Sequence, residues 1–237
     1  MLVVRELAFA WFASMSRRSR VRRMENCVRL LGIGGSTRVL DVGGTLDIWR
    51  LAPVLPRLTV LNQPRADQEI CREFPVVFGD GTALPFANRS FDVVFSNSVI
   101  EHVGDAARQG RFAAEIARVG RKYWVETPNR YFFVEQHLWT PFLHWLPKRW
   151  QARVLRSGTV WERVTRPTPD RRKFYLEHYL MGIGLLSGGK LQRLFPDAQI
   201  RRERFLGWTK SLIAVSAGGY SAFQAPSRRR SSTSSPR

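Results

Sequence analysis

The sequence predicts an α/β protein built on an open, mostly parallel, doubly wound sheet. Three observations predict it. Short apolar runs recur, each closing on polar residues or glycines: Arg38-Val39-Leu40-Asp41-Val42 on Gly43-Gly44, Val76-Val77-Phe78 on Gly79-Asp80-Gly81, and Phe91-Asp92-Val93-Val94-Phe95 on Ser96-Asn97-Ser98. Segments long enough for helical crossovers separate them, and that alternation argues for a parallel sheet. The right-handedness of such crossovers then limits the topology to a doubly wound one. Ligands sit at the carboxyl ends of strands in these sheets, so three polar tips describe one crevice.

At the amino terminus, LVVRELAFAWFASM followed by Arg17-Arg18 reads as a helix with one apolar face and a basic end. Its apolar run, Leu7 to Ala13, is too short to span a bilayer. Charge falls after that run and no cleavage site follows, which argues against a secretory signal. Such a stripe either packs over the crevice or sheet edge, or makes shallow contact with an anionic membrane surface. The strands follow at Arg38 to Val42, Arg57 to Leu61 (ending at Asn62), Pro75 to Phe78, Phe91 to Phe95 and Lys122 to Glu126. Asp105 to Val119, with apolar Ala106, Phe112, Ile116 and Val119, is the clearest crossover helix. Ala198 to Phe205 and Lys210 to Ser216 form two final strands about a tight Gly207-Trp208 turn.

Between the fifth strand and that pair lies an insertion, about residues 131–186, rich in aromatics and prolines. It is too apolar for a linker and too long for a simple crossover, and it reads as a helical cover over the site. Lys148, Arg149, Arg153, Arg156, Arg163, Arg166, Arg171, Arg172 and Lys173 are opposed there only by Glu162 and Asp170. This is either a solvated face or a site for an anionic substrate. The domain organisation expected is therefore a basic amphipathic helix over 1–26, one domain over 27–216 with its cover, and a small, polar tail over 217–237. That tail, ending SRRRSSTSSPR, lacks the apolar content to fold.

Composition sets bounds on function. The 237 residues suffice for one substantial core, and 44% hydrophobic content is ordinary for a globular protein. Cys27 and Cys71 show neither CxxC pairing nor ligand spacing, so no disulfide framework or zinc site follows from them, and reduced thiols in the cytoplasm are the reading. The net charge of +19 comes almost wholly from arginine, since the lysines are only Lys122, Lys148, Lys173, Lys190 and Lys210. Part of that excess reflects coding bias. The rest favours anionic partners: phosphorylated substrates, acidic lipid surfaces or nucleic acid.

Four blocks in order, LDVGGT, GDGTALPF, SFDVVFSNSVIEHV and VETPNRYFFVEQH, resemble the class I S-adenosylmethionine-dependent methyltransferases of the type 11 kind, over about Thr37 to Val215. The resemblance implies a Rossmann-like seven-stranded sheet whose final strands form an antiparallel closing pair, with the helical insertion after strand five. It implies S-adenosyl-L-methionine as cofactor. Asp41, Gly43 and Gly44 would hold its methionine portion, Asn62 its ribose, and Asp80 with Gly81 its adenine, beside apolar Leu84 and Phe86. Asn97 and Ser98 would face the cleft where donor and acceptor meet, while Asp92 is structural. Two departures stand out: Thr45 replaces the second glycine of the usual turn, and Asn62 stands where a carboxylate is usual.

Methyl transfer from a sulfonium needs binding, aim and a nucleophile in line, more than covalent help. His102, His137 and Glu135 are the candidate catalytic residues, because a histidine can take a hydroxyl proton near neutral pH. His144 and His178 are weaker candidates. Glu135 and His137, two apart, can share one face of an extended loop. Two ligands without a third make a weak metal site, and none is expected. The function expected is methyl transfer to a small or lipid- or glycan-linked, anionic acceptor, with nucleic acid disfavoured and peripheral contact with the inner membrane surface open. An RNA methyltransferase and a non-catalytic binding protein on the same fold are the alternatives.

Overall fold

The computed structural model describes residues 2–44, 46–64 and 73–216; side chains of residues 2–16, Leu46, Ser157, Tyr175 and 178–181 are outside that description. The expectations for the 217–237 tail, Thr45, Cys71, the His178 side chain and the apolar face of residues 2–16 therefore lie outside the described residues.

The chain forms α1 (Leu2–Leu31), β1 (Arg38–Val42), α2 (Leu46–Trp49), β2 (Arg57–Asn62), β3 (Val76–Phe78) and β4 (Phe91–Asn97). After a 3-10 turn at Ile100–His102 come α3 (Ala106–Val119) and β5 (Gly120–Pro128). The insertion holds a small hairpin, β6 (Val134–Glu135) and β7 (Thr140–Pro141), then α4 (Lys148–Ser157), α5 (Val160–Thr165) and α6 (Pro169–Gly182). Finally α7 (Gly188–Leu194) leads to β8 (Ala198–Phe205) and β9 (Trp208–Ser216).

Seven strands make one sheet in the order β3-β2-β1-β4-β5-β9-β8. β1 to β5 run parallel; β9 is antiparallel to β5 and to β8. The chain leaves β1 toward β2 and β3, then returns to lay β4 on the other side of β1. That reversal opens a crevice above the carboxyl ends of β1 and β4, where this architecture takes ligands. The Rossmann-like α/β class expected from the sequence is the one observed.

Strand alternation builds the two layers. Leu40 and Val42 point into a core with Phe112, Ile116 and Val119 of α3 and Leu191 of α7. Val39 points the other way, into a core with Met24, Cys27 and Leu31 of α1 and Trp49 of α2. Met24, Cys27 and Leu31 recur at helical spacing, so α1 runs unbroken past residue 26 and its last turns belong to the domain core. Gly32, at φ +67°, ends it. α3 starts at Asp105, whose side chain accepts from the Arg108 amide.

Some strands differ in extent from the sequence expectation. β4 reaches Asn97 and β5 spans Gly120–Pro128, because each is paired along both edges. The β8–β9 turn is Leu206-Gly207, both at positive φ (48° and 81°), which is the two-residue hairpin geometry; β9 accordingly begins at Trp208. The insertion has its own small core of Leu138, Leu143, Leu155 and Trp161. A bridge from Asn129 to Leu186 ties its two ends together beside β5.

Candidate active site

The tip of β1 is closely packed. The Asp41 carboxylate is fully buried, its Oδ2 accepting from Trp49 Nε1 at 2.8 Å, while its Oδ1 has no hydrogen-bond partner. Burial pushes its pKa up to about 7 against the opposing Trp49 hydrogen bond. A Cβ on Gly44 would lie 1.8 Å from Asp41 Oδ2, so only glycine fits over that carboxylate. Gly43 is held at φ +77°, with the Val99 side chain 2.6 Å from where its Cβ would stand. Asn62, expected at a ribose, donates from Nδ2 to the Gly44 carbonyl at 3.0 Å and so also braces the turn.

At the β3 tip, Asp80 Oδ1 accepts from the Thr82 amide (2.8 Å) and Oδ2 from Arg108 Nη2 (2.9 Å). Burial works against its charge, but those hydrogen bonds hold its pKa below the ordinary carboxylate value. Its side chain stays 42% exposed and so can meet a ligand. A Cβ on Gly81 would meet the Phe112 ring at 2.7 Å. Leu84 and Phe86 pack in the α3-side core rather than over an open adenine site. Asp92 accepts from the backbone and side chain of Arg38, a structural role as expected.

Asn97 does not face an open cleft. Its Oδ1 accepts from Arg23 Nη1 of α1 at 2.6 Å. Arg23 also makes a two-pronged pair with Glu203 (2.7 and 2.6 Å) and lies 3.1 Å from Glu126. Ser98, at φ +55°, donates to the other Glu126 oxygen at 2.8 Å. A positive charge from the amino-terminal helix is thus sealed against the tips of β4, β5 and β8. Nothing in the run Arg17 to Arg23 marks this arginine apart from its neighbours; its i+1 neighbour Met24 facing the core is the only local cue.

The predicted catalytic residues do converge. His137 Nδ1 lies 2.6 Å from Glu135 Oε1, and Glu135 Oε2 accepts from the Leu138 amide at 2.6 Å. The other His137 nitrogen, Nε2, lies 3.2 Å from His102 Nε2. Burial works against a charged His137, but Glu135, with Glu101 behind it, outweighs that and raises its pKa above the usual histidine value. Glu101, not singled out from the sequence, joins them: it is fully buried, Oε2 accepts from Thr127 Oγ1 at 2.9 Å, and Oε1 lies 3.9 Å from His102 Nε2. Burial, then the charge of Glu126, lifts its pKa to about 7. Buried Gln109 holds this turn by donating to the carbonyls of Ile100 and Gly184. His144, by contrast, turns to the Arg130 carbonyl at 3.0 Å.

These tips fit a sulfonium nucleoside on two counts. The unpartnered Asp41 Oδ1 above the Gly43-Gly44 turn suits an ammonium donor, and exposed Asp80 suits an adenine amino group.

Residues 31–123 match the family described as a methyltransferase domain. No curated protein matches the chain. Among solved structures, the PH0226 protein of Pyrococcus horikoshii OT3 aligns with a TM-score of 0.53 at 14% identity, covering 84% of this chain and 89% of that one. A Rhodobacter sphaeroides protein named as a candidate Zn-dependent alcohol dehydrogenase aligns at 0.51 and 13%, covering 81% and 88%. Haemonchus contortus phosphoethanolamine N-methyltransferase 2, solved with S-adenosyl-L-methionine, aligns at 0.45 and 12%, covering 74% and 37%. At these identities structural likeness speaks for the fold alone, and the family match carries the rest. It ends at Tyr123, before Glu135 and His137. Over residues 31–123, then, the chain matches the methyltransferase domain, a family whose cofactor is S-adenosyl-L-methionine, and the sheet order and the glycine turn over a buried acid agree with that match.

Proposed function

We propose that this protein is an active enzyme that methylates an oxygen on an anionic acceptor that is a small molecule or is lipid- or glycan-linked. The observation that carries the reading is the convergence of Glu135, His137 and His102 beside the crevice. The cofactor supplies a methyl group already activated on a sulfonium. The chain's part is to hold the acceptor and manage its proton. Glu135 accepts from His137 Nδ1 and fixes the imidazole, directing Nε2 toward His102. His102, 39% exposed, is the member that meets the acceptor. The basic, aromatic cover supports an anionic acceptor. Peripheral docking on an anionic membrane would bring a lipid-linked one within reach; no helix among the described residues is long and apolar enough to cross a bilayer.

Calorimetry with S-adenosylmethionine, followed by mass spectrometry of an extract incubated with isotopically labelled donor, tests this. Saturable donor binding and a labelled acceptor are expected. His137→Gln should keep donor affinity and lower turnover by about 10²–10⁴-fold, the usual weight of general acid–base help. The sealing of Asp41 and the Val99 contact on Gly43 favour a second reading, a binding protein without activity. Folded protein giving no heat with the donor would favour that second reading over the first.

A further inference from the structure

We propose that Glu101, His102 and His137 form a binding site for one divalent cation of the zinc type, with Glu135 as its outer partner. The site's existence is independent of the methyltransferase reading; only its use in handling the acceptor rests on that reading.

The three side chains each offer one ligand atom, and these atoms all lie within 4.8 Å of one another. The two imidazole Nε2 atoms are 3.2 Å apart. Ligands bound at about 2.1 Å around a tetrahedral ion stand about 3.4 Å apart, so the pair is already at coordinating separation. Glu101 Oε1, 3.9 Å from His102 Nε2, needs only a small side-chain adjustment.

Two further features point to a cation. Glu101 is fully buried, yet its Oε1 has no hydrogen-bond partner. A carboxylate oxygen stranded in that way is costly unless something positive meets it. Next, Glu135 grips His137 at Nδ1, which leaves the Nε2 lone pair facing His102. A carboxylate behind a histidine in this manner is the usual outer arrangement of a metal-bound imidazole. Two histidines and one carboxylate leave a coordination position open, as catalytic zinc sites do. With His102 39% and His137 21% exposed, that position is reachable from solvent. An oxygen ligand taken there would be fixed and would lose its proton more readily.

The elements make the cluster rigid. The Glu101 carbonyl accepts from the Gly184 amide at 2.7 Å, and a Cβ on Gly184 would lie 2.7 Å from Gln109 Nε2. The 3-10 turn carrying two ligands is thereby pinned to the returning end of the insertion, whose start carries the third.

The test uses the full chain, stripped with chelator and titrated with Zn²⁺ by calorimetry and with Co²⁺ by visible absorption. One ion per chain is expected, with the cobalt bands of a low-coordinate site. His137→Ala and Glu101→Gln should abolish saturable uptake; His102→Gln, at an exposed position, carries the same test if a buried substitution fails to fold. Glu135→Gln should weaken binding about 10–100-fold while keeping one site, and His144→Asn should change nothing. A folded wild-type chain that takes up no ion, or uptake surviving all three ligand substitutions, overturns the proposal. Donor calorimetry on the same samples separates the two readings: donor binding without metal uptake sinks only the metal site, and metal uptake without donor binding sinks only the methyltransferase activity.

Discussion

Asp41 shows how one side chain can be both a structural post and a waiting acceptor. Oδ2 is taken by Trp49, and Gly44 exists because the carboxylate fills the space of a side chain. Oδ1 is unpartnered, and burial lifts the pKa to about 7. The folded state therefore holds a proton that the unfolded chain, with a pKa near ~3.9, has already released. The stability that this proton carries is complete below about pH 4, falls as pH rises and is lost above about pH 7. Neighbouring Cys27 does not confuse the measurement, since burial and then the charge of Asp41 push its thiol well upward and keep it neutral. Urea unfolding across pH 4 to 8 should show Asp41→Asn less pH-dependent than wild type by a few kcal/mol. Parallel curves for the two would mean that Asp41 is not buried as described. The position of Asp41 and its glycines was legible in the sequence, because a strand ending on an acid and two glycines has few other uses. The orphaned oxygen was not, because it depends on where Trp49 lands. Glu101 was hidden for a related reason: it adjoins His102 in sequence, but its meaning comes from His137, brought in from beyond β5.

At the level of elements, the strands were readable because their apolar runs stop at polar tips, and α3 because its apolar residues repeat at helical spacing. The core-or-membrane expectation for the apolar stretch at the start of α1 lies on side chains outside the described residues. The last turns of the helix pack on the sheet, where Met24, Cys27 and Leu31 complete the core with Val39, Val93 and Phe95 of β1 and β4. Arg23, one residue earlier, then has nowhere to go but the tips of β4, β5 and β8. It is 6% exposed and satisfied by Glu126, Glu203 and Asn97. Breaking such a buried network leaves carboxylates unpaired and typically costs about 3–5 kcal/mol. Arg23→Ala should therefore lower the unfolding free energy of the full chain, read from a denaturant titration, by that order, and adding Glu203→Gln should recover part of the loss. A loss below about 1 kcal/mol, the range of a surface pair, would show that α1 does not anchor the crevice.

The whole molecule joins a crevice at one end of a sheet to an aromatic, basic insertion, and that combination bears on the proposal of a lipid-linked acceptor. Ring contacts run from Trp208 to Phe133 (5.6 Å), to Phe142 (6.3 Å) and on to Trp145 (5.3 Å), linking the β8–β9 hairpin to the cover. Phe142, Trp145 and Trp208 remain about half exposed, as do Tyr131 and Trp150 nearby in sequence. Aromatic side chains with an apolar body and one polar edge favour the headgroup layer of a bilayer, and a chain of net charge +19 is drawn to an anionic surface. Binding to vesicles containing phosphatidylserine should follow, weakening as salt screens the charge and failing on neutral phosphatidylcholine vesicles. Trp145→Ala combined with Trp208→Ala should weaken vesicle binding about tenfold or more at fixed salt and leave donor affinity unchanged, because neither ring is among the residues at the tips of β1 and β3. No sedimentation with either vesicle at low salt would place the acceptor in solution, and equal sedimentation with charged and neutral vesicles would return the arginines to the role of a solvated face.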